Sequence, residues 1–173
     1  MQPAAFSLRA RLSFALMTLL LLGLPVPTWP GDDPYDRATL KGITAIRVVV
    51  EPLNPEAERD GLTKDQLQTD VELRLRKAGI RVTSSLEESE WSYLHLNVNP
   101  VKGSSGLYAY HISLEFEQGV ILGRDRNISL SAPTWSVAEV GIIGAQRLRD
   151  VRGDVADLAD KFIKAYLERN PEG

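Results

Sequence analysis

Apolar and polar residues alternate or recur in blocks along this chain, and the blocks outline a series of strands closed by helices. In Ile43 to Val50, the side chains of Ile46, Val48 and Val50 share one face while Arg47 and Val49 take the other. This is a β-branched run, ended by Glu51-Pro52, and it predicts a strand. A polar loop, Asn54 to Gly61, leads to the clearest local pattern. Thr63 and Gln66 form a T-x-x-Q capping box, Leu62 and Leu67 take the positions of a hydrophobic staple, and Leu67, Val71, Leu75 and Ala78 recur on one helical face. Arg74, Arg76 and Lys77 suit the negative end of a helix dipole, and Gly79 suits a left-handed cap. A helix is therefore predicted over Leu62 to Gly79.

A short strand, Ile80 to Thr83, and an acidic turn, Glu87 to Glu90, follow. Beyond Trp91 the alternation is regular: Leu94, Leu96 and Val98 face one way, and Tyr93, His95, Asn97 and Asn99 the other. After the turn Gly103-Ser104-Ser105-Gly106 it resumes with Tyr108, Tyr110, Ile112, Leu114 and Phe116 against Ala109, His111, Ser113 and Glu115. A hairpin folded about Ser104 pairs Leu96 with Ile112 and Val98 with Tyr110, which sets both apolar rows on one side. The strand continues through a bulge near Gln118-Gly119 into Val120 to Leu122 and a tight turn at Gly123 to Asn127. Ile128 to Val140 returns as the last long strand, with Pro133 marking an edge or a bulge. Gly141-Ile142-Ile143-Gly144 reads as a flexible connection. The closing segment repeats apolar residues at Leu148, Val151, Val155, Leu158, Phe162 and Tyr166, and Asn170-Pro171 ends it as a helix. The pattern predicts an α+β fold: an antiparallel-rich sheet of about five strands with two helices on one face and the other face partly wet.

Composition changes this picture at the N-terminus. Arg9 and Arg11 precede the apolar run Phe14 to Leu24, and Pro25 and Pro27 close it, which is the layout of a signal peptide over residues 1–28. The run is about half of the roughly 20 residues that span a bilayer. Val26-Pro27-Thr28 is a poor cleavage sequence, so an uncleaved anchor is the alternative. Without cysteine in the chain, a lipid cannot be attached as in lipoproteins. Residues 29–42, rich in proline, glycine and aspartate, read as an extended lead-in, and residues 43–171 as a single α+β domain. Removing the leader takes two of the 20 basic residues and none of the 23 acidic ones, leaving a net charge of −5. An acidic domain without a basic stripe is not a nucleic-acid binder.

Candidate chemistry is sparse. The hairpin places His95 diagonal to His111 on the polar face, with Glu115 and Asn97 nearby, and imidazole and carboxylate on adjacent strands are metal-ligand types. The plainer expectation is a set of ordinary residues on the wet side of a sheet, because a structural zinc needs four ligands and no nucleophile accompanies the histidines. Gly-Ser-Ser-Gly lacks the nucleophile-elbow spacing, and Gly141 to Gly144 matches neither the Rossmann nor the P-loop pattern. Asn127-Ile128-Ser129 is a glycosylation sequon only in a chain secreted through an endoplasmic reticulum. Trp91, Tyr93 and Trp135 are expected to pack in the core, with interface anchoring as the alternative.

The element order strand, helix, strand, hairpin, strand, helix, with Leu62 to Gly79 as its first helix, resembles the small α/β module that begins TolB-like periplasmic proteins. Related modules occur in curli-secretion-type envelope proteins. Thr134-Trp135 and the ending Phe162 to Pro171 also resemble uncharacterised exported bacterial proteins. The chain departs from these families in having neither a lipobox cysteine nor a following propeller, so no functional residue carries over. The favoured expectation is a periplasmic or secreted, non-enzymatic module that binds an envelope protein through Tyr93, His95, Asn97 and His111. The alternative is a hydrolase or metal-dependent enzyme using the His95/His111/Glu115 face. No cofactor is implied, and membrane contact follows only if the leader stays uncleaved. Mass spectrometry of the exported product should find a chain beginning near Trp29; an intact Met1 on a membrane-bound product would establish an anchor.

Overall fold

The computed structural model describes residues 31–171. The signal peptide and its cleavage site therefore lie outside the described residues. In chain order the elements are α1 (Pro34–Ala38), β1 (Arg47–Val50), α2 (Pro55–Arg59), α3 (Lys64–Lys77), β2 (Tyr93–Lys102), β3 (Leu107–Ile121) and β4 (Ser129–Gly144). A 3₁₀ turn, Ala145–Asp150, then leads into α4, Val151–Arg169. The fold is mixed α+β with one four-stranded sheet, ordered β1-β2-β3-β4.

The strand count and pairing differ from expectation. Ile80 to Thr83 does not form a strand; Val82 makes a single parallel bridge to Ile46. β1 pairs with β2 in parallel, because the chain leaves β1, crosses through α3 and re-enters beside it in the same direction. The other two pairs are antiparallel. Two short helices also replace segments expected to be irregular. Asp33 caps α1 by accepting from the Tyr35 and Asp36 backbone N–H groups, with Pro34 in the first turn and Asp36 closing a capping box. Asn54 caps α2 in the same way ahead of Pro55. Both follow the rule that an Asx residue before proline opens a helix.

The main helix forms as its signals require. Thr63 Oγ1 accepts from the Gln66 N–H at 3.4 Å, and Leu62, Leu67, Val71 and Leu75 are all buried. At the far end Gly79 takes a φ of +82°, while the N–H groups of Gly79 and Ile80 bond back to Arg76 and Leu75. Those two bonds are the Schellman closure. α4 buries Val151, Val155, Leu158, Phe162 and Tyr166 on the same side of the sheet, with Phe162 5.1 Å from Trp135 and 5.6 Å from Phe116, centroid to centroid. Side-chain bridges Arg152–Asp70 and Arg74–Asp160 join the two helices.

The β2/β3 hairpin is shifted by two residues from its expected register. Leu96 faces Leu114, Val98 faces Ile112 and Pro100 faces Tyr110. A two-residue slip keeps every side chain on its face, so the apolar pattern does not distinguish the two registers. The turn and a clamp decide it. Gly106, at φ +79°, closes the turn, and the facing residues Lys102 and Tyr108 both donate to Asp60 at 2.8 Å. The bulge lies on the edge strand β4 beside Pro133, as that proline marks it, and not at Gln118-Gly119 on the facing strand. The register breaks between Phe116 and Glu117, which face Trp135 and Pro133, so Thr134 is the extra residue. Gly141 to Gly144 belong to β4 and pair with β3 rather than forming a loop.

Tyr110 lies over its cross-strand neighbour Gly141, where a Cβ would collide with the phenol ring, and its hydroxyl donates to Asp154 on α4 at 2.6 Å. Burial, and then the bond to Asp154, push this phenol up from 10.0 to about 12. The fold thus favours the neutral phenol; its contribution is complete below pH 10 and is lost as the pH climbs through about 12. Tyr110→Phe should accordingly flatten part of the fall in melting temperature between pH 10 and pH 12, and a variant with an unchanged alkaline profile would show that Tyr110 is not held this way.

Candidate functional site

Because both long helices cover one face of the sheet, the alternate side chains stand on the other. Tyr93, His95 and Asn97 from β2 and His111 from β3 all lie on this uncovered face. The first three are half-buried and His111 is exposed. Toward β1 the face is polar and internally tied. The Arg47 guanidinium sits 5.0 Å from the Tyr93 ring centroid, Tyr93 meets His95 edge-on, and His95 Nε2 lies 2.9 Å from Glu51 Oε1. Glu115 is directly across the strand pair from His95.

The two histidines are not diagonal neighbours. His111 faces Asn99, four residues along β2 from His95, a separation of about 13 Å at the strand rise. The expected His95/His111/Glu115 cluster is therefore not assembled; the two-residue shift in register separates it. Among the described residues no three His, Asp or Glu side chains are placed to hold one metal ion.

Toward the hairpin turn the same face becomes apolar. Val101 is 61 % exposed, Val140 75 % and Ile142 74 %, and Ala109 lies between Val101 and Ile142 in the ladder. Asn99 and His111 border them, and together these residues line a shallow depression of about 610 Å³. A second groove, of about 750 Å³, runs along the outer edge of β4. His111, Ala138 and Val140 form one wall, and Glu139 with Lys161 and Lys164 of α4 forms the other. His111 thus borders both. Clusters of exposed apolar side chains with a polar rim are the usual composition of a protein contact.

Sequence reasoning missed the apolar half because Gly141 to Gly144 were read as a connection. The available signal was the alternation of Val140 and Ile142, out of phase with Gly141 and Ile143, continuing the period of Trp135, Val137 and Glu139. The tryptophans divide. Trp135 is buried, with its indole N–H donating to Asp32 at 2.6 Å, as core packing requires. Trp91, expected in the core, is instead 67 % exposed, in a turn where Glu90 and Trp91 both take left-handed backbone angles, φ +52° and +63°.

Lower on β4 the edge is covered. Ser136 N–H donates to the Gly31 carbonyl at 2.7 Å, and Arg37 binds Asp32 through two bonds of 2.8 Å and Glu168 through one of 2.7 Å. The carboxylates hold the Arg37 guanidinium firmly charged, Asp32 first among them. Residues 31–38 are thereby fastened to β4 and α4, not extended.

A paired substitution on β2 checks which face is bare. Val101→Asp should change stability by no more than about 0.5 kcal/mol, whereas Val98→Asp, three residues earlier and buried, should cost several kcal/mol and unfold the chain. Equal losses in denaturant melts would mean the faces are assigned wrongly.

No family model matches this chain, and no curated protein matches it. Among solved structures, it is similar to a minor lipoprotein from Acinetobacter baumannii at 11 % identity and a TM-score of 0.37, over 75 % of this chain and 95 % of that one. A score and identity of that size assign neither fold nor role, and the match gives no link to TolB-like or curli-secretion-type modules.

Proposed function

We propose that this chain is an exported envelope protein, acting through one α+β domain, whose uncovered sheet face receives a protein partner without chemistry of its own. The observation that carries the reading is the bare face itself: exposed Val101, Val140 and Ile142 adjoin the polar groups Asn99 and His111 on a rigid ladder. Rigid strands present such groups with little loss of conformational freedom, which favours association. Tyr93, His95 and Asn97 extend the surface toward β1 as half-buried contact groups. Placement in the envelope rests on the N-terminal leader, and the acidic charge of the remaining chain argues against a nucleic-acid ligand. The wide separation of His95 and His111 weighs against an enzyme centred on them.

Photo-crosslinking in the cell tests this. A crosslinkable residue at Asn97 or His111 should give protein adducts, and one at Arg76, on the exposed side of α3, should not. Replacing His95 and His111 together by Gln should preserve folding and reduce the adduct yield in a graded way, with Tyr93→Ala reducing it more. Adducts from Arg76 alone, or a stoichiometric metal that the double histidine variant loses, would replace this reading with another.

A further inference from the structure

We propose that the groove between α3 and α4, on the side turned away from the sheet, binds an elongated dianion: an uncharged body about 10 Å long with a phosphate group at each end. The inference is independent of the reading of the uncovered face, which lies across the sheet.

The first support is the way the two helices set out their charges. The groove encloses about 460 Å³, and four cations line it: Arg74 and Lys77 from α3, Arg149 from the 3₁₀ turn and Arg152 from the first turn of α4. It opens outward, since Leu73 in its lining is 47 % exposed while Val71 and Leu75 on the other side of α3 are buried. The helices run in the same direction, because Asp70 meets Arg152 while Arg74, one turn further along α3, meets Asp160, two turns further along α4. The cations therefore divide into two pairs. Arg149 and Arg152 stand at one end, and Arg74 and Lys77 toward the other. Leu73, Gly153 and Ala156 make an uncharged floor between them. The seven-residue step from Asp70 to Lys77 gives the groove its length of about 10 Å at the helix rise.

The two ends are built alike. At each, one arginine is held by a carboxylate of the opposite helix: Arg152 donates through Nε and Nη2 to Asp70 at 2.7 and 2.9 Å, and Arg74 through Nη1 to both oxygens of Asp160 at 3.0 and 2.9 Å. Those bonds leave Arg152 Nη1 and Arg74 Nη2 without a hydrogen-bond partner among the described residues. The second cation of each pair, Arg149 or Lys77, forms no ion pair among the described residues. With two cations and one carboxylate, each end has a net charge of +1, in a chain whose charge beyond the leader is −5. Of the nearby carboxylates, Asp150 is taken by Arg147, and Asp157 does not line the groove. A guanidinium already oriented by a carboxylate gives up little freedom when its remaining N–H groups meet a phosphate. One phosphate reaches one pair; only a ligand that spans the floor engages both.

The floor is also kept clear. Gly153 stands inside α4, where alanine is the better helix former, yet a Cβ there would meet no atom within 4 Å. Packing does not call for glycine at this position. An absent side chain does leave the middle of the groove open to the body of a ligand.

Calorimetric titration of the exported chain at low salt tests this, with hexane-1,6-diol bisphosphate and inorganic phosphate as probes. The bisphosphate should bind at least tenfold more tightly than phosphate, because its second group binds from within the same molecule. Lys77→Gln and Arg149→Gln, both at exposed positions, should each weaken it about tenfold. Gly153→Leu suits a helix and should hold or raise the melting temperature while removing the advantage of the bisphosphate, so that lost binding cannot be traced to unfolding. Sedimentation with phosphatidylglycerol but not phosphatidylcholine vesicles, lost in the same variants, would identify neighbouring lipid headgroups as the source of the two phosphates. Bisphosphate binding without such sedimentation would identify a soluble dianion. A bisphosphate that binds no more tightly than phosphate overturns the proposal, as does binding that survives Lys77→Gln combined with Arg149→Gln. Neither failure would touch the crosslinking test of the uncovered face.

Discussion

A four-stranded sheet has two faces, and the described chain places its long helices on only one of them. The connection from β1 to β2 must cross the sheet because the two strands are parallel, and it carries α3 onto the same face that α4 covers. Phe162 unites the arrangement by meeting Phe116 on β3, Trp135 on β4 and Tyr166 on its own helix. Burying aromatic side chains of that size is among the largest stabilising contributions available to a small domain. One-sided burial leaves the opposite face to be filled by polar residues or by something outside the domain. That face is polar toward β1 and apolar toward the hairpin turn.

The N-terminal segment secures the lower edge of the same sheet. Asp32 accepts from the buried Trp135 indole and from Arg37, and Arg37 in turn reaches Glu168 on α4. Exposed ion pairs contribute about 0–1 kcal/mol each. Here the Trp135 bond carries more weight, because an indole N–H buried without an acceptor costs about 1–3 kcal/mol. The consequence for function is positional: the covering stops at Ser136, so the apolar upper edge and the bare face remain continuous.

Much of the fold was legible in the sequence. The capping box, the spacing of Leu67, Val71 and Leu75 and the glycine after them all describe one helix, and the structure contains it. The apolar rows of β2 and β3 fall on the side their alternation indicates. The two short helices also carry local signals, Asp33-Pro34 and Asn54-Pro55, within segments whose composition reads as an extended lead-in and a polar loop. The candidate face was half legible: Tyr93, His95, Asn97 and His111 share the uncovered side, while Val101, Val140 and Ile142, which make it apolar, were not singled out.

What the sequence by itself determined is which side of each element is apolar, because burial is written into a local period of two or 3.6 residues. Tertiary structure alone decided which residues meet. The hairpin register rests on Gly106 and on the Asp60 clamp across Lys102 and Tyr108, and two registers with the same faces differ only in such contacts. That choice separates His95 from His111. The same holds for the β4 edge, whose lower part is covered by Gly31, more than a hundred residues away in the chain. No local pattern reports such a neighbour, since its effect depends on where the folded chain brings it.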